Sequence, residues 1–415
     1  MKLNFLQTAI IVLIASISTL FFSSCDKDNN SVDPVDPTNK EELKGAITEN
    51  MTLEEDQTYT LTGAVTVPDG VTLTIKPGVT IIAQEGDIVG YLLIEQGGKI
   101  NAVGTASKPI VMTSEVKVKG AWGGVHICGK APLNVATPAS SEVGSKPYGG
   151  NDPHDNSGEL KYVRVEYAGF SYDEKHECNG FSLYGVGDGT KLSYLEAYKG
   201  SDDGFECFGG TVGYNHCLSI DNLDDAFDWT EGWSGKCQFL VAYQESKDVL
   251  GYDCDRLIEA DNLEDDFDAS PCSHPTFSNL TLIGNNSSDK TSGVTFRRGT
   301  QISIYNALVE GKSKTLNVES DQTQSAFLNG TSIARSVYIN GSFNTTQNDD
   351  ATSSIYTMEN FTTDGNFISS SEFSFSNIYV GTKSGVAVPS GFEEATYAGA
   401  VKEGEDWTAN WTVEL

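Results

Sequence analysis

The chain has 415 residues, with 58 Asp and Glu against 27 Lys and Arg and a net charge of −31 at neutral pH. Nucleic acids and anionic membrane surfaces are bound through Lys and Arg, so this acidic excess excludes both as natural partners and makes metal cations the obvious complement. Beyond the N-terminal segments, roughly 375 residues form one domain, large for a compact fold but ordinary for a solenoid.

Met1-Lys2 is followed by an apolar run over residues 5–22 and then by Ser23-Ser24-Cys25. A positive start, a short apolar core and small residues predict a secretory leader over residues 1–24. A membrane-spanning helix is the alternative, but the run ends in small residues and a cysteine rather than in a basic stop-transfer cluster. The end of the run resembles a bacterial lipobox, with Phe22 where Leu is usual. That resemblance implies acylation of Cys25 and anchoring to the outer membrane. Asp26-Lys27-Asp28-Asn29-Asn30 resembles the signal that sends Bacteroidetes lipoproteins to the cell surface. Residues 25–45, rich in Asp and Pro, read as a flexible tether, and residues 46–415 as a single domain.

From Tyr59 to Ser114 short β-branched runs alternate with turns such as Pro68-Asp69-Gly70 and Lys76-Pro77-Gly78. No long helical periodicity follows, so the domain is all-β. Residues 131–158 break the rhythm and read as a long lateral loop. Three segments then carry carboxylates around a Phe: Asp202-Asp203-Gly204-Phe205-Glu206, Asp224-Asp225-Ala226-Phe227-Asp228 and Asp265-Asp266-Phe267-Asp268. Phe181, Phe205 and Phe227 are 24 and 22 residues apart. This period, far shorter than a propeller blade, predicts a right-handed parallel β-helix with coils of about 20–24 residues. Further coils are expected near Leu257–Ala260, Phe277–Leu282, Val294–Phe296, Ile302–Tyr305 and Phe373–Tyr379, with residues 396–415 closing the solenoid.

Gly120-Ala121-Trp122-Gly123-Gly124, Tyr184-Gly185-Val186-Gly187 and Phe208-Gly209-Gly210-Thr211, together with Trp407 to Trp411, resemble a family of secreted, pectin-lyase-like β-helix surface lipoproteins of Bacteroidetes and marine bacteria. The resemblance specifies architecture and implies little about chemistry.

Stacked coils place equivalent residues about 4.8 Å apart, which turns the acidic repeat into a ladder. Two bare carboxylates at that spacing repel by roughly 3–4 kcal/mol at an effective dielectric near 20. A cation would relieve this, and Asp202, Asp203, Glu206, Asp224, Asp225, Asp228, Asp265, Asp266 and Asp268 offer the oxygen ligands calcium prefers. The alternative is a set of turns whose carboxylates cap backbone amides. The third copy lacks the residue that separates the acids from Phe205 and Phe227, which shifts it off the ladder. Trp229 and Trp233 beside the acids are candidate ligand-binding aromatics, with core stacking as the competing reading. Cys217 and Cys237, and Cys254 and Cys272, each lie near one coil apart, as stacked disulfides or as stacked buried thiols.

Paired acids also suit glycoside hydrolysis. The companion motifs of polygalacturonases are absent, and a lyase would need Arg256, Arg297, Arg298 or Lys199 beside the acids as a base. The five histidines show no metal-binding spacing. The sequence therefore predicts a surface binding module for a polysaccharide, host matrix or protein ligand. Calcium-dependent polysaccharide cleavage and a structural spacer are the alternatives.

Overall fold

The computed structural model describes residues 42–86, 88–173, 176–345, 355–363, 367–369 and 373–415. The leader, Cys25 and most of the tether lie outside the described residues. Strand structure begins at Glu42–Ala46, so the domain starts within the expected tether rather than at residue 46. Among the described residues no helix is long and apolar enough to cross a membrane.

The main-chain pairing is that of a right-handed parallel β-helix. Short strands stack in one direction: Tyr91–Ile94, Val125–Cys128, Phe181–Tyr184, Phe205–Phe208 and Phe227–Thr230, continued by Ile258–Ala260, Ser292–Phe296 and Lys314–Val318. Their alternation sends Phe181, Phe205 and Phe227 into the solenoid, where the rings stack at 4.8 and 5.4 Å. Each such burial contributes about 2–3 kcal/mol before entropy is counted. Ser182, Glu206 and Asp228 share the opposite face in direct register.

A second stack contains Gly158–Glu166, Lys191–Tyr198, Tyr214–Ile220, Lys236–Tyr243, Thr276–Ile283, Ser303–Glu310 and Ile333–Asn340. In the preceding coil the equivalent path is two strands, Lys99–Val103 and Ile110–Ser114, joined by a turn. From residue 158 onward that turn shrinks to one left-handed residue per coil: Tyr162, Tyr194, His216, Phe239, Asn279, Asn306 and Ser336, with φ between 51° and 58°. A left-handed non-glycine residue costs roughly 1–2 kcal/mol. Stacking offsets that cost, since Tyr162, Tyr194, His216 and Phe239 follow one another at 4.4, 4.5 and 4.7 Å.

The expected coil at Phe373–Tyr379 is absent, because Asn377 and Val380 instead close a tight antiparallel bridge. Nor does the C-terminal segment cap an end; it runs lengthwise across the one-residue corner. The Ser384 carbonyl accepts from Tyr338, Val386 pairs with Asn306, the Tyr397 carbonyl accepts from Asn279, Ala400 N–H donates to Thr281, and Val413 N–H donates to Glu196. The rings of Trp407 and Trp411 stand nearly perpendicular to those of the ladder of Tyr162, Tyr194 and His216.

Candidate metal site on the acid face

The short strands that bury Phe205 and Phe227 in the core turn Glu206 and Asp228 to the opposite, half-buried face, and the turns before them carry the paired acids. Six of the predicted residues, Asp202, Asp203, Glu206, Asp224, Asp225 and Asp228, come together. Two residues that sequence reasoning missed, Asp255 and Glu259, complete the cluster. Four interlocking triads each hold three carboxylate oxygens within 4.8 Å: Asp202–Asp203–Asp224, Asp203–Glu206–Asp228, Asp224–Asp225–Asp255 and Asp225–Asp228–Glu259.

Asp265, Asp266 and Asp268 do not join them. They sit exposed on a separate turn, where the Asp266 carboxylate accepts from the Asp268 amide at 3.1 Å. The physical third rung is Asp255-Arg256-Leu257-Ile258-Glu259, because the Ala226 amide donates to the Arg256 carbonyl and so aligns Phe227 with Ile258. An excursion over residues 244–256 delays that rung past the expected period.

Part of the capped-turn arrangement is present. Asp203 N–H donates to the Asn179 side chain, Asp225 N–H to the Asp203 carboxylate at 2.8 Å, and Arg256 N–H to the Asp225 carboxylate at 2.6 Å. One oxygen each of Asp203 and Asp225 is thereby used, and the second oxygen of Asp225 lies 3.6 Å from the Arg256 guanidinium. Gly204 permits this close stacking, since a Cβ there would stand 2.2 Å from the Ser219 hydroxyl.

The cluster is buried or half-buried, and burial with like charges nearby raises the proton affinities of Asp202, Asp203, Glu206, Asp224, Asp225, Asp228 and Glu259. Asp203, Glu206, Asp225 and Asp228 are pushed well above the carboxylate range, first by desolvation and then by a neighbouring carboxylate: Asp228 for Asp203, Glu142 for Glu206, and Glu259 for Asp225 and Asp228. Asp202 rises to about 8 from burial, with Glu177 and Asp224 adding to it. Glu142, from the lateral loop, rises to about 8 through burial and through Glu177. That loop is no loose insertion: Leu133, Val143 and Tyr148 pack against Tyr184 and Phe208, and Tyr148 donates to Glu231 at 2.8 Å. Tyr184 lies fully buried beside Glu142 and Glu206, and its hydroxyl has no hydrogen-bond partner among the described residues.

Among the described residues, cations stand at one end only. The Arg256 guanidinium lies 2.6 Å from Glu259 and 3.6 Å from Asp225, Lys290 lies 2.6 Å from Asp255, and Arg297 pairs with Glu259 and Asp261. Eight carboxylates thus face three cations, and none of the three lies against Asp202, Asp203, Glu206 or Asp228 at ion-pair distance. The donor set is entirely carboxylate oxygen, the chemistry of calcium or magnesium rather than of zinc. Lys199 stands elsewhere, 4.0 Å from Asp221.

Two other expectations are corrected. Trp229 and Trp233 are wholly buried, their indoles donating to Thr300 at 3.0 Å and to the Val212 carbonyl at 2.9 Å, so neither meets a ligand. All seven cysteines from Cys128 to Cys272 are free thiols. The local coil is longer than the cysteine spacing: Cys217 stands opposite Leu240 and Cys237 opposite Phe277, while Cys254 and Cys272 lie outside the strands.

A family model described as a pectate-lyase-like beta helix domain matches residues 45–412. No curated protein and no solved structure matches the chain.

Proposed function

Because the chain belongs to the pectate-lyase-like beta helix family, we propose that it is a calcium-dependent binding module, tethered through Cys25 to the outer membrane and displayed at the cell surface. The observation that carries this reading is the string of four carboxylate triads. Ions among Asp202, Asp203, Glu206, Asp224, Asp225, Asp228, Asp255 and Glu259 would neutralise a face that burial otherwise forces to hold protons. Calcium takes six to eight oxygens with tolerant geometry, and neighbouring coils supply them. Open coordination positions on such ions suit an anionic glycan or an acidic protein ligand, which the bare face would repel.

Thermal unfolding after exhaustive chelation and again with millimolar calcium tests the metal. A rise of about 3 °C or more is expected, since saturating one site at a hundred times its dissociation constant adds about 2.7 kcal/mol. Identical transitions in both conditions would refute it. Mass spectrometry of the membrane-extracted protein tests the tether, with a diacylglyceryl mass on Cys25 as the expected result.

A second reading, cleavage of an acidic polysaccharide, is favoured by Arg256, whose guanidinium abuts Asp225 and Glu259. Incubating the calcium-loaded protein with polyuronates and following an unsaturated product by ultraviolet absorbance separates the two. Binding without product supports the module, and product that disappears in Arg256→Ala supports the lyase.

A further inference from the structure

The one-residue corner bears a feature that takes no part in the acid face. Between the corner and the C-terminal segment lies a cleft of about 460 Å³, within the size range of small-molecule sites. Phe239 and His216 line its inner side, and Glu393, Tyr397, Glu405 and Trp407 its outer side. Both faces of the His216 ring are covered, by Tyr194 at 4.5 Å and by Phe239 at 4.7 Å. Its edge therefore meets the Trp407 indole, 4.9 Å away at 89°.

Charge separates the two sides. Burial, assisted by Lys161, lowers His216 to about 4, so the inner wall is neutral at physiological pH. The outer wall is negative. Lys402 is engaged by Glu405 and lies 5.9 Å from the Tyr397 ring, whereas the carboxylates of Glu393 and Glu394 have no partner among the described residues. They are nonetheless carried on fixed main chain, because Gln238 accepts from Glu393 N–H at 2.8 Å and donates to its carbonyl at 2.9 Å.

Aromatic rings beside uncompensated carboxylates are the chemistry that recognises an organic cation. An anionic ligand would be repelled, and a neutral sugar would leave both carboxylates unbalanced. We infer that this cleft binds an organic ammonium group, its charge held by Glu393 and Glu394 and its carbon substituents against Trp407 and Tyr397. The site shares no residue with the acid ladder and stands or falls independently of calcium.

The intrinsic probe is Trp407. The other four tryptophans, Trp122, Trp229, Trp233 and Trp411, are 0–1% exposed, so ligand-dependent fluorescence reports on this one. The full chain is titrated with choline chloride, against sodium chloride at equal ionic strength and against glucose. The expected result is a saturable change with choline alone, unaltered by chelation and by Asp203→Asn. It should weaken at least tenfold in the Glu393→Gln, Glu394→Gln double variant. Both side chains are exposed, so that variant keeps its fold, and isothermal titration calorimetry repeats the measurement without relying on Trp407. No saturable change overturns the assignment, as does a response that survives the double variant intact or is stronger for glucose than for choline.

Discussion

The acid face and the aromatic corner are built by the same device, one residue per coil repeated at strand spacing, and they differ in what repetition does. At the corner, Tyr162, Tyr194, His216 and Phe239 stack at 4.4–4.7 Å and offset the left-handed backbone they occupy. On the acid face, carboxylates stacked within 4.8 Å accumulate repulsion that the interior does not cancel. A solenoid multiplies whatever side chain it repeats. Aromatic repetition is self-sufficient, and acidic repetition calls for a proton or a cation from outside.

The largest blow to this contrast falls on the corner. Tyr194→Ala removes a ring sandwiched between Tyr162 and His216, and should cost about 3 kcal/mol in chemical denaturation while leaving any calcium response intact. A loss below ~1 kcal/mol would mean that the stack contributes little.

The acid face should show its dependence on protons. Raised carboxylate values mean that the folded state binds protons more tightly than the unfolded state. Stability is therefore fully present below about pH 4 and lost as pH climbs through the folded values, about 7 for Glu259 and about 8 for Asp202. In chelator, denaturation free energies should fall by on the order of 2–3 kcal/mol between pH 5 and pH 8, and calcium should flatten the slope. A slope of the opposite sign would place the titrating groups elsewhere.

A smaller effect, about 1–2 kcal/mol, is expected from Asp203→Asn with Asp225→Asn. Each Asn keeps the oxygen that caps the next coil's amide, as Asn179 already does one coil earlier. The pair should melt higher than wild type in chelator and lower than wild type in calcium. If the two curves fail to cross, the carboxylates serve only as caps. Tyr148→Phe, which deletes the 2.8 Å hydrogen bond to Glu231, should cost about 1 kcal/mol and leave calcium binding nearly unchanged.

Much of the fold was legible because Phe181, Phe205 and Phe227 advertise the coil length and alternate with outward acids. Six of the eight cluster carboxylates followed from that period. Asp255 and Glu259 escaped because residues 244–256 detour before the strand resumes, and the eye settles instead on Asp265-Asp266-Phe267-Asp268, similar in letters but on another turn. Parity carried a signal that went unused. If Phe227 points inward and Asp228 outward, Trp229 must point inward, where it is found. The cysteine pairs failed for a related reason, since a spacing of 20 differs from the local register that sets Cys217 against Leu240. The left-handed corner had no signature at all, because Tyr, His, Phe, Asn and Ser share it.

The lengthwise C-terminal segment alters how the molecule would respond to force. Coils that touch only their neighbours can peel away one at a time from an end. Here the chain doubles back, so that Ser384 rests on the coil of Tyr338 while Val413 rests on the coil of Glu196. Pulling on the C-terminus first strips Trp411 and Trp407 from the ladder, coil by coil in shear, before any rung is free to unravel. A tug at the C-terminus thus meets a fastening spread over seven coils rather than a single fraying edge.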